Sequence, residues 1–168
     1  MDRQRDAAFA DACFTEHQHI GVARGHLRDF IAEIAGAGCG SVIVHARKAI
    51  LKGLTPKQNR EVPPLDYARV YRLKAARPDL TIVINGGIET LAASSEHLAH
   101  VDGVMLGRAA YQNPYILAYV DHMFFDPKAH VVSRAEALAA LVPYADRHIA
   151  KGGRLSNVTR HILGLYHG

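Results

Sequence analysis

Tryptophan is absent and cysteine nearly so: Cys13 and Cys39 are the only two thiols in 168 residues. Two cysteines cannot build a disulfide framework, and their spacing matches no zinc motif. Long apolar runs are missing as well. The opening MDRQRDAAFADACF lacks the apolar core of a signal peptide, and no stretch approaches a membrane span. Low-complexity tracts are absent and hydrophobic content is 49%, a composition that argues against a disordered chain. A strong charge imbalance is missing too. Twenty Lys+Arg against 16 Asp+Glu leave +4, a mild basicity compatible with a polyanionic partner without requiring one. No membrane association is expected, and a cytoplasmic location is.

The informative stretch is Thr81 to Arg108, TIVINGGIETLAASSEHLAHVDGVMLGR. Thr81-Ile82-Val83-Ile84 is a short β-branched run, expected as a strand buried on both faces. Asn85-Gly86-Gly87 breaks it, and paired glycines let backbone N–H groups approach a ligand that a Cβ would obstruct. A polar helix is expected from Ile88 to His100, with Leu91, Ala92, Ser95 and Leu98 inward. A second buried strand, 103–106, follows and stops at Gly107-Arg108. This rhythm of strand, glycine turn and helix is that of a parallel sheet. Two successive glycine turns, one carrying an Arg, suit a phosphate, as do the loops after strands seven and eight of a (β/α)₈ barrel. The plainer alternative is that these glycines only make tight turns.

Upstream, Leu27, Phe30, Ile31 and Ile34 recur at helical spacing, and Gly36-Ala37-Gly38 ends that helix. Ser41-Val42-Ile43-Val44 reads as a buried strand delivering His45-Ala46-Arg47-Lys48 to its C-terminal end. A His followed by two cations there can bind an anion or orient a planar ring. Ala49 to Pro64 is a long insertion that Gly53, Pro56, Pro63 and Pro64 keep from forming a continuous helix. Lys48, Lys52, Lys57 and Arg60 make it basic, with Glu61 opposing: either a solvated face or a grip on a phosphate backbone. An amphipathic helix from Leu65 to Arg77 returns the chain to the central stretch. The histidines His17, His19 and His26 fit no ligand spacing, so no metal site is expected. A fourth strand is conceivable near 19–22. Further on, Ala109 to Asn113 begins a helix and Tyr115 to Phe125 is aromatic-rich. Ser133 and Glu136 form a capping box for a helix running to about Ala150. Gly152-Gly153 breaks it, and Asn157 to Tyr166 reads as a last helix.

From about Leu27 onward the sequence resembles the tRNA-dihydrouridine synthases, and within them the synthase A subfamily. The resemblance rests on VIVHARKAILKGLTPKQNREVPPLDYARVYRLK, INGGIETL, DGVMLGRAAYQNPYILAYVD and VTRHILGL. It implies an FMN-dependent flavoenzyme, built as a (β/α)₈ TIM barrel followed by a helical domain, that uses NADPH to reduce a D-loop uridine of tRNA to 5,6-dihydrouridine. The family's flavin contacts fall on His45, on Asn85, Gly86 and Gly87, and on Gly107 and Arg108. Its tRNA contacts in the long loop fall on Lys57 and Arg60. The family's catalytic cysteine sits in an N-G-C-P loop, which this sequence lacks, and neither Cys13 nor Cys39 has those neighbours. The family's V-K-x-R-x-G strand has only Glu16 to Gly21 as counterpart, without the Lys or the Arg.

The resulting expectation is an α/β fold: the C-terminal half of a barrel over 1–125, with 1–25 diverged, and the start of a helical domain over 126–168. No catalytic residue is assigned within it. Such a half-barrel, taken alone, is expected to be inactive and to self-associate or aggregate through its open strand edges. Two alternatives remain at this stage: another FMN or phosphate-binding barrel enzyme, or an inactive truncated product.

Overall fold

A computed structural model describes residues 26–50 and 52–166. The expected fourth strand near 19–22, Cys13, His17 and His19 lie outside them. Three parallel strands, β1 (Ser41–His45), β2 (Thr81–Asn85) and β3 (Gly103–Met105), form one sheet in sequential order. Ser41 pairs with Thr81 and His45 with Asn85, while Asn85 pairs with Met105 on the other side. The chain divides into two compact units. One is the chain up to Gly87 with Ser94–Met105, and the other is Ile88–Ala93 with the chain from Leu106.

In the first unit, α1 (His26–Gly36) stops within the expected Gly36-Ala37-Gly38 breaker, and Gly38 takes the positive φ of 96° that reverses the chain. α3 (Tyr67–Ala76) is capped by Asp66, whose carboxylate accepts the Arg69 N–H at 3.0 Å. Its Val70 and Leu73 are buried, as are Ile82 and Ile84 of β2 and Val42 of β1. Burying side chains of this size contributes about 1.5–3 kcal/mol each. The strands are not buried on both faces, contrary to the expectation. Side chains alternate across a strand, and the face opposite Ile82 and Ile84 is half-open, with Ile43 50% and Met105 38% exposed.

The helix expected over 88–100 is shorter, α4 (Leu91–Leu98), because the Thr90 hydroxyl accepts the Ala93 N–H and starts it late. Its inward residues are Ser94 and His97; Ala92 and Ser95 are exposed. Hydrophobic spacing alone missed this, because His97 is carried into the interior by a hydrogen bond between its Nδ1 and the Tyr71 hydroxyl, 2.6 Å apart. After α4, Asp102 fastens α3 to the sheet: its carboxylate accepts the Ile82 N–H and pairs with Lys74, both at 2.8 Å. Burial pushes the Asp102 carboxyl up, but these two donors outweigh it and hold it below its ordinary range.

The second unit is helical. α5 (Arg108–Gln112), a 3₁₀ segment (Pro114–Tyr119), α6 (Val120–Phe124) and α7 (Arg134–Ala150) follow in turn. The expected capping box of α7 is present: Ser133 Oγ accepts the Glu136 N–H, and the Glu136 carboxylate accepts the Ser133 N–H. Arg134 lies 4.0 Å over the Tyr115 ring and donates to the Leu165 carbonyl at 2.7 Å. The last expected helix is broken instead into α8 (Ser156–Thr159) and a 3₁₀ turn (Leu163–Tyr166). Gly164 sits where a Cβ would lie 2.1 Å from the Gln112 carbonyl oxygen, so the chain gives up helical continuity for a close backbone approach.

Candidate functional site

A parallel sheet gathers what its strands carry last at one edge, and β1 and β2 carry His45 and Asn85 there, in register. The ladder extends one step further, the Ala46 N–H donating to the Asn85 carbonyl at 2.8 Å. Both side chains belong to the half-open face, by alternation from the buried Ile82 and Ile84. The Asn85 amide reaches the Met105 sulfur at 3.4 Å. The His45 Nδ1 accepts the Arg47 N–H at 3.2 Å. A neutral ring so held carries its proton on Nε2 and presents a donor there.

The glycine turn follows at once. Gly86 and Gly87 have φ of 120° and 68°, values that L side chains rarely adopt. Gly86 is buried and Gly87 exposed. A Cβ on Gly86 would meet His45 Cε1 at 3.0 Å, and one on Gly87 would meet Leu65 Cδ1 at 2.6 Å. Gly86 therefore packs against His45, and Gly87 against Leu65 and Tyr67. Leu65 and Tyr67, which sequence spacing had marked only as part of a helix, line the turn. The Tyr67 hydroxyl donates to the Gly86 carbonyl at 2.8 Å.

The basic insertion is ordered rather than loose. A short helix, α2 (Pro56–Asn59), starts at Thr55 with a complete capping box to Gln58. Asn59 clasps Ile50, its side chain accepting from the Ile50 N–H at 2.7 Å and donating to the Ile50 carbonyl at 2.8 Å. The Arg47 guanidinium is turned to the carbonyls of Glu61 and Pro63, and Arg47 bridges to Leu65. One of the two cations expected to meet an anion beside His45 thus holds the base of the loop instead. Lys48, Lys52, Lys57 and Arg60 are exposed, with Lys57 and Arg60 three apart on and just after α2. That spacing puts both on one side of a helical turn.

In the second unit, Gly107 is the N-cap of α5 and Arg108 its first residue, both exposed. A Cβ on Gly107 would meet nothing within 4 Å. Cys39 lies at the opposite end of the sheet from His45. It precedes β1, its thiol donates to the Ser41 carbonyl at 3.1 Å, and the five-residue strand separates it from His45. At about 3.3 Å per residue that is well over 10 Å. Among the described residues, no group of three or more His, Cys, Asp or Glu is placed to hold a metal, and no helix is long and apolar enough to cross a membrane.

The donors brought together at the strand ends of the first unit, a ring N–H, a side-chain amide and a glycine backbone, suit a planar, carbonyl-bearing ring. The model of the dihydrouridine synthase (Dus) family matches residues 17–168. The chain is 55% identical over 143 residues to a tRNA-dihydrouridine(20/20a) synthase of Yersinia pestis, covering 84% of this chain and 41% of that relative. It is 58% identical over 142 residues to the enzyme of the same description from Pseudomonas aeruginosa, covering 84% and 43%. A Vibrio cholerae relative of that description is 49% identical over 141 residues. The chain spans about two-fifths of the length of these relatives.

Proposed function

Because the chain belongs to the dihydrouridine synthase family, we propose that it is the segment of a flavoenzyme that holds FMN and grips tRNA while a D-loop uridine is reduced to 5,6-dihydrouridine at the expense of NADPH. The observation that carries this reading is the register of His45 with Asn85, followed at once by the Gly86–Gly87 turn, at the C-terminal end of a parallel sheet. Residues up to 125 belong to a (β/α)₈ barrel and 126–168 to the helical domain that follows it. The half-open strand face supports the barrel part of this reading, since strands apolar at almost every position suit a closed barrel. It also supports self-association of the chain by itself, which a single monomeric peak in size-exclusion chromatography would contradict. A cytoplasmic location accords with a tRNA substrate.

When bound and reduced by NADPH, FMN would supply the hydride chemistry for the uracil ring. This chain's own residues position and hold. His45 offers its Nε2 proton from a ring locked by the Arg47 N–H. Asn85 would offer its amide and the Gly86–Gly87 turn its backbone, the missing Cβ atoms leaving room for His45, Leu65 and Tyr67 behind it. Arg108 supplies a fork of donors for the phosphate. Lys57 and Arg60 meet the RNA backbone, which positions the substrate without reading its sequence. Cys39 does not supply the proton that completes the reduction, since it sits at the far end of β1 and donates to Ser41.

The Arg108 role is tested by flavin retention in a full-length protein carrying this sequence. Arg108→Lys keeps the charge and loses the fork, so FMN binds more weakly, and Arg108→Ala weakens it further. Unchanged flavin content in both variants would refute the phosphate role.

A further inference from the structure

The Gly86–Gly87 turn is held from behind by a series of aromatic and imidazole contacts that begins on α3. The Tyr67 hydroxyl donates to the Gly86 carbonyl at 2.8 Å. The Tyr67 ring meets the His97 ring edge-on, with centroids 4.4 Å apart. His97 is 7% exposed and is bonded through Nδ1 to the Tyr71 hydroxyl at 2.6 Å. Tyr71 in turn stacks on His100 at 4.3 Å. A buried imidazole with a hydrogen-bonded partner has little freedom to turn, so the ring behind Tyr67 is a fixed wall.

We propose that Tyr67 is a positioning residue for the glycine turn: by holding the Gly86 carbonyl it fixes the direction in which the Gly87 N–H is offered to the flavin. The reason is peptide geometry. The Gly86 carbonyl and the Gly87 N–H belong to one planar trans peptide and point in opposite directions. A carbonyl tied to α3 therefore aims the N–H away from α3, at an exposed residue. Two adjacent glycines with positive φ have the widest backbone freedom of any pair, and without an external tie this peptide could rotate. Tyr67 removes that freedom before a ligand arrives, and preorganisation of this kind raises affinity without a new contact to the ligand. This role rests on the flavin reading above for what the N–H meets, but the restraint on the peptide stands independently of it.

Tyr67→Phe removes the hydroxyl and keeps the ring against His97, so the variant folds with nearly the melting temperature of the parent chain. In a ¹⁵N-labelled full-length protein carrying this sequence, the Gly87 amide order parameter is expected to fall from about 0.85 to near 0.6, while those of β2 stay unchanged. An unchanged Gly87 order parameter would overturn the proposal, and a uniform fall across the unit would reduce Tyr67 to general packing. FMN affinity of a full-length protein carrying this sequence provides the second measurement. Tyr67→Phe should weaken it about fivefold, the worth of one neutral hydrogen bond. If Arg108→Ala weakens FMN binding and Tyr67→Phe does not, the flavin reading stands and the positioning role fails. If neither variant matters, the flavin reading fails, and the order parameter alone decides whether Tyr67 restrains the turn.

Discussion

Gly87→Ala puts a number on how tightly the glycine turn is specified. At φ 68° an alanine occupies the left-handed region, at a cost of about 1–2 kcal/mol. Its Cβ would stand 2.6 Å from Leu65 Cδ1 and 3.3 Å from the Tyr67 hydroxyl oxygen. The Leu65 methyl is the end of a flexible side chain and can swing away, at about 0.5–1.5 kcal/mol for an off-rotamer side chain. The two terms together destabilise the chain by about 1.5–3.5 kcal/mol. Gly36→Ala is the matched control. It closes α1, has no positive φ, and its added Cβ would meet nothing within 4 Å. There the smaller conformational entropy of the unfolded chain favours alanine by about 0.5–1 kcal/mol. The two alanines should therefore move thermal unfolding, followed by circular dichroism, in opposite directions. For a chain of this size the shift is about 2–4 °C per kcal/mol, so Gly87→Ala loses roughly 3–14 °C and Gly36→Ala gains a few. A Gly87→Ala chain as stable as its parent would refute the account of the turn.

Two further outcomes follow from the charged groups. The Ser133 hydroxyl and N–H, with His130 beside them, hold the Glu136 carboxyl down at about 2, against an ordinary 4.5. A depressed carboxyl stabilises the fold above its unfolded pKa and stops doing so as pH falls through the folded one. The Ser133 and Glu136 amide signals at the start of α7 should thus hold steady above about pH 4.5 and fray between there and about pH 2. Glu136→Gln keeps a capping side chain and should flatten that dependence; an unaltered pH profile in this variant would assign the change to another group. In a full-length protein carrying this sequence, Lys57→Ala with Arg60→Ala should weaken tRNA binding and flatten its log–log salt slope by about 1.5–2. FMN content and NADPH oxidation without tRNA should stay as they were, and an unaltered slope would return both charges to a solvated surface.

The strands and the glycine turn were legible because their signals are local. Val42 to Val44 and Ile82 to Ile84 are β-branched runs that stop at polar or glycine residues, and β1 and β2 each run one residue past the expected end. Ser133 and Glu136 announced α7 in the same way. α2 was also legible, since Thr55-Pro56 with Gln58 is a capping box with proline at the first position, but the prolines around it drew attention to what could not be helical. The roles of Tyr67, Leu65, Arg47 and His97 were hidden, because each depends on a partner between 14 and 26 residues away. No local period records such a pairing. His97 in particular reads as a polar helix position, and only the Tyr71 hydroxyl opposite it makes burial affordable. The open strand face was misread for a related reason: apolar side chains on both sides say which faces need a cover, not which ones this chain covers.

The central claim is that this segment serves the reduction of tRNA uridine on a flavin held at the strand ends. The direct measurement is mass analysis of tRNA nucleosides after incubation with a full-length protein carrying this sequence, FMN and NADPH. The account predicts a D-loop uridine heavier by two hydrogens, with conversion lost in Arg108→Ala and lost at moderate salt in the Lys57→Ala, Arg60→Ala double variant. A flavin-loaded, NADPH-oxidising protein that leaves every tRNA uridine unreduced would contradict it.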